Sequence, residues 1–476
     1  MKNKAAQSLP AKHYPGLAGK AYFNFGGQGV MSQPSLDAIF EAYQYVQREG
    51  PFSSKMFSWI GQQLNDTKEL FAAVFGGSAH CFALTQNVTE AVNIVLWGLN
   101  WQAGDSIMIT DCEHPGVVDA VNNLVRRLKL NLIEVAVQSL DGQELVDSIE
   151  KQISKDGRTR LFVFSHVLWN SGKVLPLKEI NNLCRQYGVL ALADGAQSAG
   201  VLPLSLRDYD SDFYAFTGQK WLCGPEGTGA LYVKESLLGK LEPTYMGWRH
   251  HLHGSERGAE KYEIATSSFP LLAGLRTALK CHQEAGDDRS RYVKIMANLN
   301  YLKSSLEELG VQTVAGAGAS GLLSFKVPGK NHNQLVTDLE SDGVYVRSIP
   351  EPDCLRASIH YLTESDDVDR LLGRRQETTL AGVSPVFLPE SIPAQSLNQQ
   401  KFQFLQLSNS PLNDPKPPLA AKTGQSNRKF CIFVVASYRN GLFPLLLDYF
   451  PFLRKNEIGN VFYVHTIFCP SGLRHR

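Results

Sequence analysis

The sequence predicts an α/β protein in which a large domain with a mostly parallel sheet is followed by a smaller α+β domain. Three observations lead there. From about residue 79, short β-rich runs alternate with amphipathic helical patterns, which is how parallel α/β architecture reads in sequence. Those runs are almost wholly apolar, so both faces of the sheet need a covering of helices. After about residue 275 the pattern changes to long helices followed by short strands.

In chain order, AHCFALT (79–85) predicts a strand, NVTEAVNIVLWGLN (87–100) a helix, DSIMITDCEH (105–114) a strand and GVVDAVNNLVRRLK (116–129) a helix. NLIEVAV, TRLFVFSHVLW, VLALADGAQ, DFYAFTG and TGALYV supply further strands. Between two of these, PLKEINNLCRQYG (176–188) places Ile180, Leu183, Cys184 and Tyr187 on one helical face, with Pro176 at its start and Gly188 at its end. LRTALKCHQEAG and YVKIMANLNYLKSSLEELG are long helices; GLLSFKV, the helix NQLVTDLESDG, VYVRSI and LRASIHYL complete the second block. These patterns divide the chain into an arm (1–20), a large domain (21–275), a small domain (276–383) to which the N-terminal segment contributes, and an extension (384–476).

The extension stands apart in composition. Residues 385–476 carry 10 of the 23 prolines but 4 of the 40 glycines, and 10 basic against 4 acidic residues, whereas the body is net acidic. Its SNSPLNDPKPPLAAKTGQSNRK stretch buries too little apolar surface to fold alone, so the extension is expected to be poorly ordered. The whole chain has 476 residues, 43% hydrophobic and net +1. That balance offers no electrostatic case for nucleic acid as a partner. No run nears the roughly 18 apolar residues of a membrane helix, and the N-terminus has neither a signal-peptide core nor transit-peptide arginines, so a cytoplasmic location is expected. Eight cysteines at wide, irregular intervals without Cys-x-x-Cys read as reduced thiols, with no zinc site. His250, His251 and His253 lack a neighbouring acidic or thiol ligand and read as an entrance loop; no metal is expected.

Ligands of open parallel sheets bind beyond the carboxyl ends of the strands. The polar residues there are Thr85 to Thr89, His114, Asn170, Asp194 with Gln197, and Thr217 to Lys220. Asp194 closes an apolar strand, where it can cap the next turn or pair with a cation. Lys220 follows another strand in the turn TGQKW, beside Gly218, Trp221 and Gly224, where desolvation lowers a lysine toward nucleophilic range. A strand-end Asp with a buried Lys matches the protein's part in pyridoxal phosphate chemistry.

The segments LTQNVTEAVN, CEHPG, SHVLWNSGKVLPL, ADGAQSAG, FTGQKWLCGPEGTGALYV, YEIATSSFP and DCLRASIHYLTESDDVDRLL make the chain from about 20 to 375 resemble the class V aminotransferase group of fold-type-I pyridoxal-phosphate enzymes. Within it they resemble the cyanobacterial-type cysteine/cystine C-S lyases. The resemblance implies Lys220 as the lysine that carries pyridoxal 5'-phosphate, Asp194 on the pyridine nitrogen, Gln197 on the phenolic oxygen and His114 against the ring. Asn87, Val88 and Thr89 would hold the phosphate at a helix N-terminus, completed by Thr217, Gln219 and, from the partner of a homodimer with a shared site, Thr266. Gln219 departs from the family pattern, where histidine precedes the lysine. Asn170, or Trp169 one position away, would touch the cofactor or the substrate carboxylate, and Arg356 would clamp that carboxylate.

The activity so implied is β-elimination on cysteine or cystine to pyruvate, ammonia and sulfide or persulfide. A desulfurase would add a thiolate on a mobile loop to take the sulfur and pass it to an acceptor protein. Here only SIPEPD separates VYVRSI from Cys354, which reads as a structural position, as does Cys223. A class V aminotransferase or epimerase, or a non-catalytic cofactor-binding protein, are the other readings.

Overall fold

The computed structural model describes residues 13–247, 258–264, 267–314, 316 and 319–374. Residues 1–12, His250, His251, His253, Thr266 and the 384–476 extension lie outside the described residues.

A short β1 (Ala21–Tyr22) leads to two helices, α1 (Gln33–Glu49) and α2 (Ser54–Phe75). Alternation then begins with β2 (Phe82–Thr85), α3 (Val88–Gly98), β3 (Ser106–Thr110), α4 (Pro115–Leu128), β4 (Asn131–Val135) and α5 (Gly142–Lys155). It continues through β5 (Thr159–Ser165), α6 (Leu177–Gln186), β6 (Leu190–Asp194), β7 (Phe213–Thr217) and β8 (Gly229–Val233). These strands form one seven-stranded sheet in the order β2-β8-β7-β6-β5-β3-β4. Five neighbouring strands, β7-β6-β5-β3-β4, run parallel, and β8 is antiparallel to both β2 and β7.

The pleat divides the apolar runs between two cores. Met108, Phe162 and Phe164 point to one face, under Phe71 of α2, Ile149 of α5 and Ile180 of α6. Ile107, Ile109, Leu161 and Val163 point to the other, under Val92 of α3 and Val121 of α4. Helix starts are written locally: Asn87 accepts from the Glu90 N–H, and His114 Nδ1 from the Gly116 N–H ahead of Pro115.

The remaining elements are α7 (Phe269–Glu284), α8 (Asp288–Glu308), β9 (Gln312–Thr313), β10 (Leu322–Lys326), α9 (His332–Ser341), β11 (Val344–Tyr345), β12 (Arg347–Pro350), β13 (Asp353–Ser358) and α10 (Ser365–Leu371). A four-stranded antiparallel sheet, β12-β13-β10-β9, rests on Ile295, Leu299, Leu302 and Leu306 of α8. VYVRSI does not remain one strand. β11 pairs in parallel with β1, and after Val346 the chain changes partner so that β12 pairs with β13. The N-terminal segment thereby joins this second core, with Phe23 and Phe25 fully buried beside Trp221 and Leu355.

Candidate active site

The carboxyl ends of the parallel strands open into a cleft. Its wall brings together Asn87, Val88, Thr89, His114, Asp194, Gln197, Thr217, Gln219 and Lys220, with Trp169 added. Asp194 is the last residue of β6. One carboxylate oxygen accepts from the Ala196 N–H at 2.8 Å, and the side chain is buried. Burial raises its pKa, opposed by that N–H and by the Lys220 charge.

Lys220 ends the turn after β7, and its Nζ has no hydrogen-bond acceptor among the described residues. Burial pulls its pKa down to about 8, against the attraction of Asp194 and helped by Arg356 and Arg347. The backbone of its turn is held by the N-terminal segment: the Gly29 N–H donates to the Gln219 carbonyl at 2.7 Å. A Cβ on Gly29 would collide with the Lys220 carbonyl oxygen, so a residue with no side chain is required there.

The other side chains are oriented by donors and acceptors of fixed kind. Trp221 Nε1, which can only donate, donates to Gln197 Oε1 at 2.9 Å; Gln197 Nε2 donates to the Gly26 carbonyl at 2.9 Å. The amide orientation is thus settled and one Nε2 proton is left over. His114 Nδ1 is an acceptor, which places its proton on Nε2; burial, then Lys220, Arg347 and Arg356, lower its pKa and keep it neutral. Its ring packs edge-on to Trp169, centroids 5.5 Å apart. Thr217 and Gln219 hydrogen-bond to each other. At the mouth of α3, the N–H groups of Val88 and Thr89 are left free by the helix.

Two sequence expectations need restating. Asn170 is not in the wall: its Oδ1 accepts from Cys112 Sγ at 3.0 Å and its Nδ2 donates to the Glu351 carbonyl, behind the cleft. One position earlier the chain points the other way, and Trp169 takes the place in the cleft. Arg356, expected as the carboxylate clamp, is buried and is not among the residues that line the cleft. Its Nη1 donates to the Trp169 carbonyl at 2.6 Å, while Nε and Nη2 have no partner. Asn24 Oδ1 and Ser358 Oγ are buried and unpaired as well.

Sequence reasoning missed Glu113, Arg347 and the Gly26–Gly29 strip. Glu113 lies inside a quoted motif, and the glycines of FGGQG were themselves the available signal. Buried Glu113 accepts from Thr110 Oγ1, from the Ser165 N–H at 2.9 Å and from Ser165 Oγ at 2.7 Å. Burial pushes its pKa up to about 7, with the charge of Asp194 adding to the rise.

Comparison with known proteins gives this arrangement its family. The profile of the family described as Aminotransferase class-V matches residues 31–371. The chain belongs to the class V aminotransferases. A protein of Methanothermobacter thermautotrophicus described as a "probable cysteine desulfurase" is 30% identical over 390 residues, 76% of this chain and 95% of that protein. Among solved structures, the complex of the cystine C-S lyase C-DES with its reaction product cysteine persulfide aligns with a TM-score of 0.73 and 40% identity, covering 76% of this chain and 98% of that one. A mutant of C-DES with glycine covalently linked to the PLP cofactor aligns at 0.74 and 39%, covering 77% and 98%.

As a class V aminotransferase the protein is an enzyme of the pyridoxal-phosphate-dependent class, and its fold is that of the fold-type-I members. The cleft fits the cofactor on its own chemistry. An unpaired amine, a buried carboxylate and free helix N–H groups line it, the complements of an aldehyde, a ring nitrogen and a phosphate.

Proposed function

We propose that the protein is a carbon–sulfur lyase that carries out β-elimination on cystine or cysteine, releasing pyruvate, ammonia and persulfide or sulfide. The observation that carries this reading is the β12–β13 hairpin. Only Glu351 and Pro352 join the two strands, and Cys354 faces Ile349 within the ladder, fully buried. Burial pushes its thiol up to about 11, the opposite of what a sulfur-accepting thiolate needs. All six described cysteines are buried. The likeness to a cystine C-S lyase supports the same reading.

In this reading Lys220 would hold the cofactor's aldehyde, and its amine would serve as the general base for the Cα proton. A lysine lowered to about 8 presents a usable neutral fraction near neutral pH. Asp194 would hold the ring nitrogen, Gln197 would donate its spare proton to the phenolic oxygen, and neutral His114 would pack against the ring. Val88 and Thr89 N–H groups with Asn87, Thr217 and Gln219 hold the phosphate; Thr266 of a second copy is assigned to it too. Arg356 takes the substrate α-carboxylate. Pyridoxal phosphate, when bound, supplies the electron sink. With every described cysteine buried, no thiolate among the described residues would be at hand to capture the sulfur, which leaves β-elimination as the outcome these residues favour.

The protein incubated with cystine is expected to yield pyruvate in step with cysteine persulfide, read by mass spectrometry. Lys220→Ala should lose the borohydride-sensitive cofactor absorbance and slow turnover by about 10²-fold or more. Sulfur found on the protein without pyruvate would sink the lyase reading and favour a desulfurase, and neither product would favour an aminotransferase or epimerase.

A further inference from the structure

Glu113 is the buried acid that the chemistry above leaves unused. Its carboxyl bridges two strand ends. One oxygen accepts from Thr110 Oγ1, at the end of β3, and from the Ser165 N–H, while the other accepts from Ser165 Oγ at 2.7 Å. Ser165 is the last residue of β5, and the parallel register sets it beside Asp194, the last residue of β6. Ser165 and Asp194 both line the cleft. Two buried carboxyls therefore stand on neighbouring strand ends with one serine between them.

Every donor to Glu113 is neutral, so no cation there balances a carboxylate. The Thr110 and Ser165 hydroxyls can each turn from donor to acceptor, and the pocket thus satisfies the carboxyl with or without its proton. The other titratable groups nearby are otherwise engaged or uncharged. Asp111 accepts from the Val137 and Gln138 N–H groups, and Lys173 is held by the Val137, Gln138 and Leu140 carbonyls and by Asp141. Burial pushes the Cys112 thiol up to about 12, and His114 stays neutral. Asp194 is the charge that acts on Glu113, and two such carboxyls titrate as a pair.

We propose that Glu113 is a positioning residue that acts on the cofactor through Asp194: it keeps a proton while Asp194 lacks a cationic partner and yields it to solvent when the protonated ring nitrogen of pyridoxal phosphate binds Asp194. The carboxyl O–H breaks, water takes the proton, and the cluster carries one net negative charge in both states. This rests on the placement of the ring nitrogen on Asp194 and not on the lyase outcome.

Full-length apoprotein is titrated calorimetrically with pyridoxal phosphate in buffers of different ionisation enthalpy, beside Glu113→Gln. Protons moved by the cofactor and by Lys220 are common to both proteins, so the difference counts Glu113. Wild type is expected to release about half a proton more than the variant at pH 7, and no more than the variant at pH 9. Equal release at pH 7 overturns the proposal. A second measurement needs no variant. Infrared spectra of wild type with isotope-labelled glutamate should show a protonated buried carboxyl in the apoprotein at pH 7 that fades as the cofactor binds; a band absent from the start, or unchanged in the holoprotein, overturns the proposal. NMR of ring-labelled pyridoxal phosphate separates this from the reading beneath it. A bound ring nitrogen without its proton ends the placement on Asp194 and the proposal together, whereas a protonated ring with equal proton release ends the proposal alone.

Discussion

Glu113 shows how much of the site's electrostatics is set by a residue that does not line it. At neutral pH its carboxyl is close to half protonated, and each proton it holds spares Asp194 a second negative charge nearby. Asp194 can then stay ionised on a buried floor, as a partner of a ring nitrogen must. The arrangement makes stability depend on pH. Glu113 titrates near 4.5 when unfolded and near 7 when folded, so between those values the folded protein holds the extra proton. Its contribution is intact below about pH 4.5, declines as pH rises to about 7, and is flat above. Glu113→Gln keeps the acceptor for Thr110 and the Ser165 N–H but cannot ionise. Relative to wild type, it is expected to be more stable at pH 8 than at pH 5, by at most roughly 3 kcal/mol. Urea unfolding of both proteins at the two pH values reads the difference; a gap unchanged between them would mean that Glu113 is already ionised in the folded state at pH 5.

Among the elements, those whose information is local were legible in sequence. α3, α4 and α6 carry an apolar stripe of the right period, and two of them begin at a side chain that caps them. Asp194 and Lys220 were legible because strand ends in such a sheet are where ligands go. α1 and α2 were not read, since their patterns run against burial. α1 buries only Ser35 and Ala42 while leaving Leu36, Phe40 and Tyr43 exposed, and α2 buries Gln63, Thr67 and Lys68. The division of VYVRSI at Val346 depends on which distant strand pairs with each half, which no local period records. The same holds for Trp169 against Asn170, where a shift of one residue reverses direction. The Gly26–Gly29 strip is legible only once its neighbour is known. Gly29→Ala is expected to displace the Lys220 turn, with a cost of about 1–3 kcal/mol in stability and a weaker hold on pyridoxal phosphate. Thermal melting and cofactor titration together check it, and unchanged cofactor affinity would show that the contact does not position Lys220.

At the scale of the whole molecule, the exposed apolar residues are unevenly placed. Leu36, Phe40 and Tyr43 form one stripe of α1, and Phe52 and Phe57 pack edge to face at the start of α2. A cluster of this kind suits a protein surface better than water, and it supports the homodimer that the family resemblance implies. Phe40→Asp combined with Leu36→Asp touches no buried residue and is expected to weaken self-association about 100-fold or more, seen as a fall from dimer to monomer mass in light scattering. A wild type that is monomeric at micromolar concentration would end the homodimer reading. No helix among the described residues is long and apolar enough to cross a membrane. One further consequence concerns the order in which the chain is made. The Ser358 N–H donates to the Phe23 carbonyl, and Asn24 bridges to Ser358, so the second core is complete only when nearly the first and nearly the last described strands meet. A nascent chain emerges N-terminus first. Lys220 and Asp194 therefore leave the ribosome long before β13 does, and a polypeptide cut short ahead of Asp353 carries every residue that lines the cleft but lacks Arg356 and the strand that completes the second core.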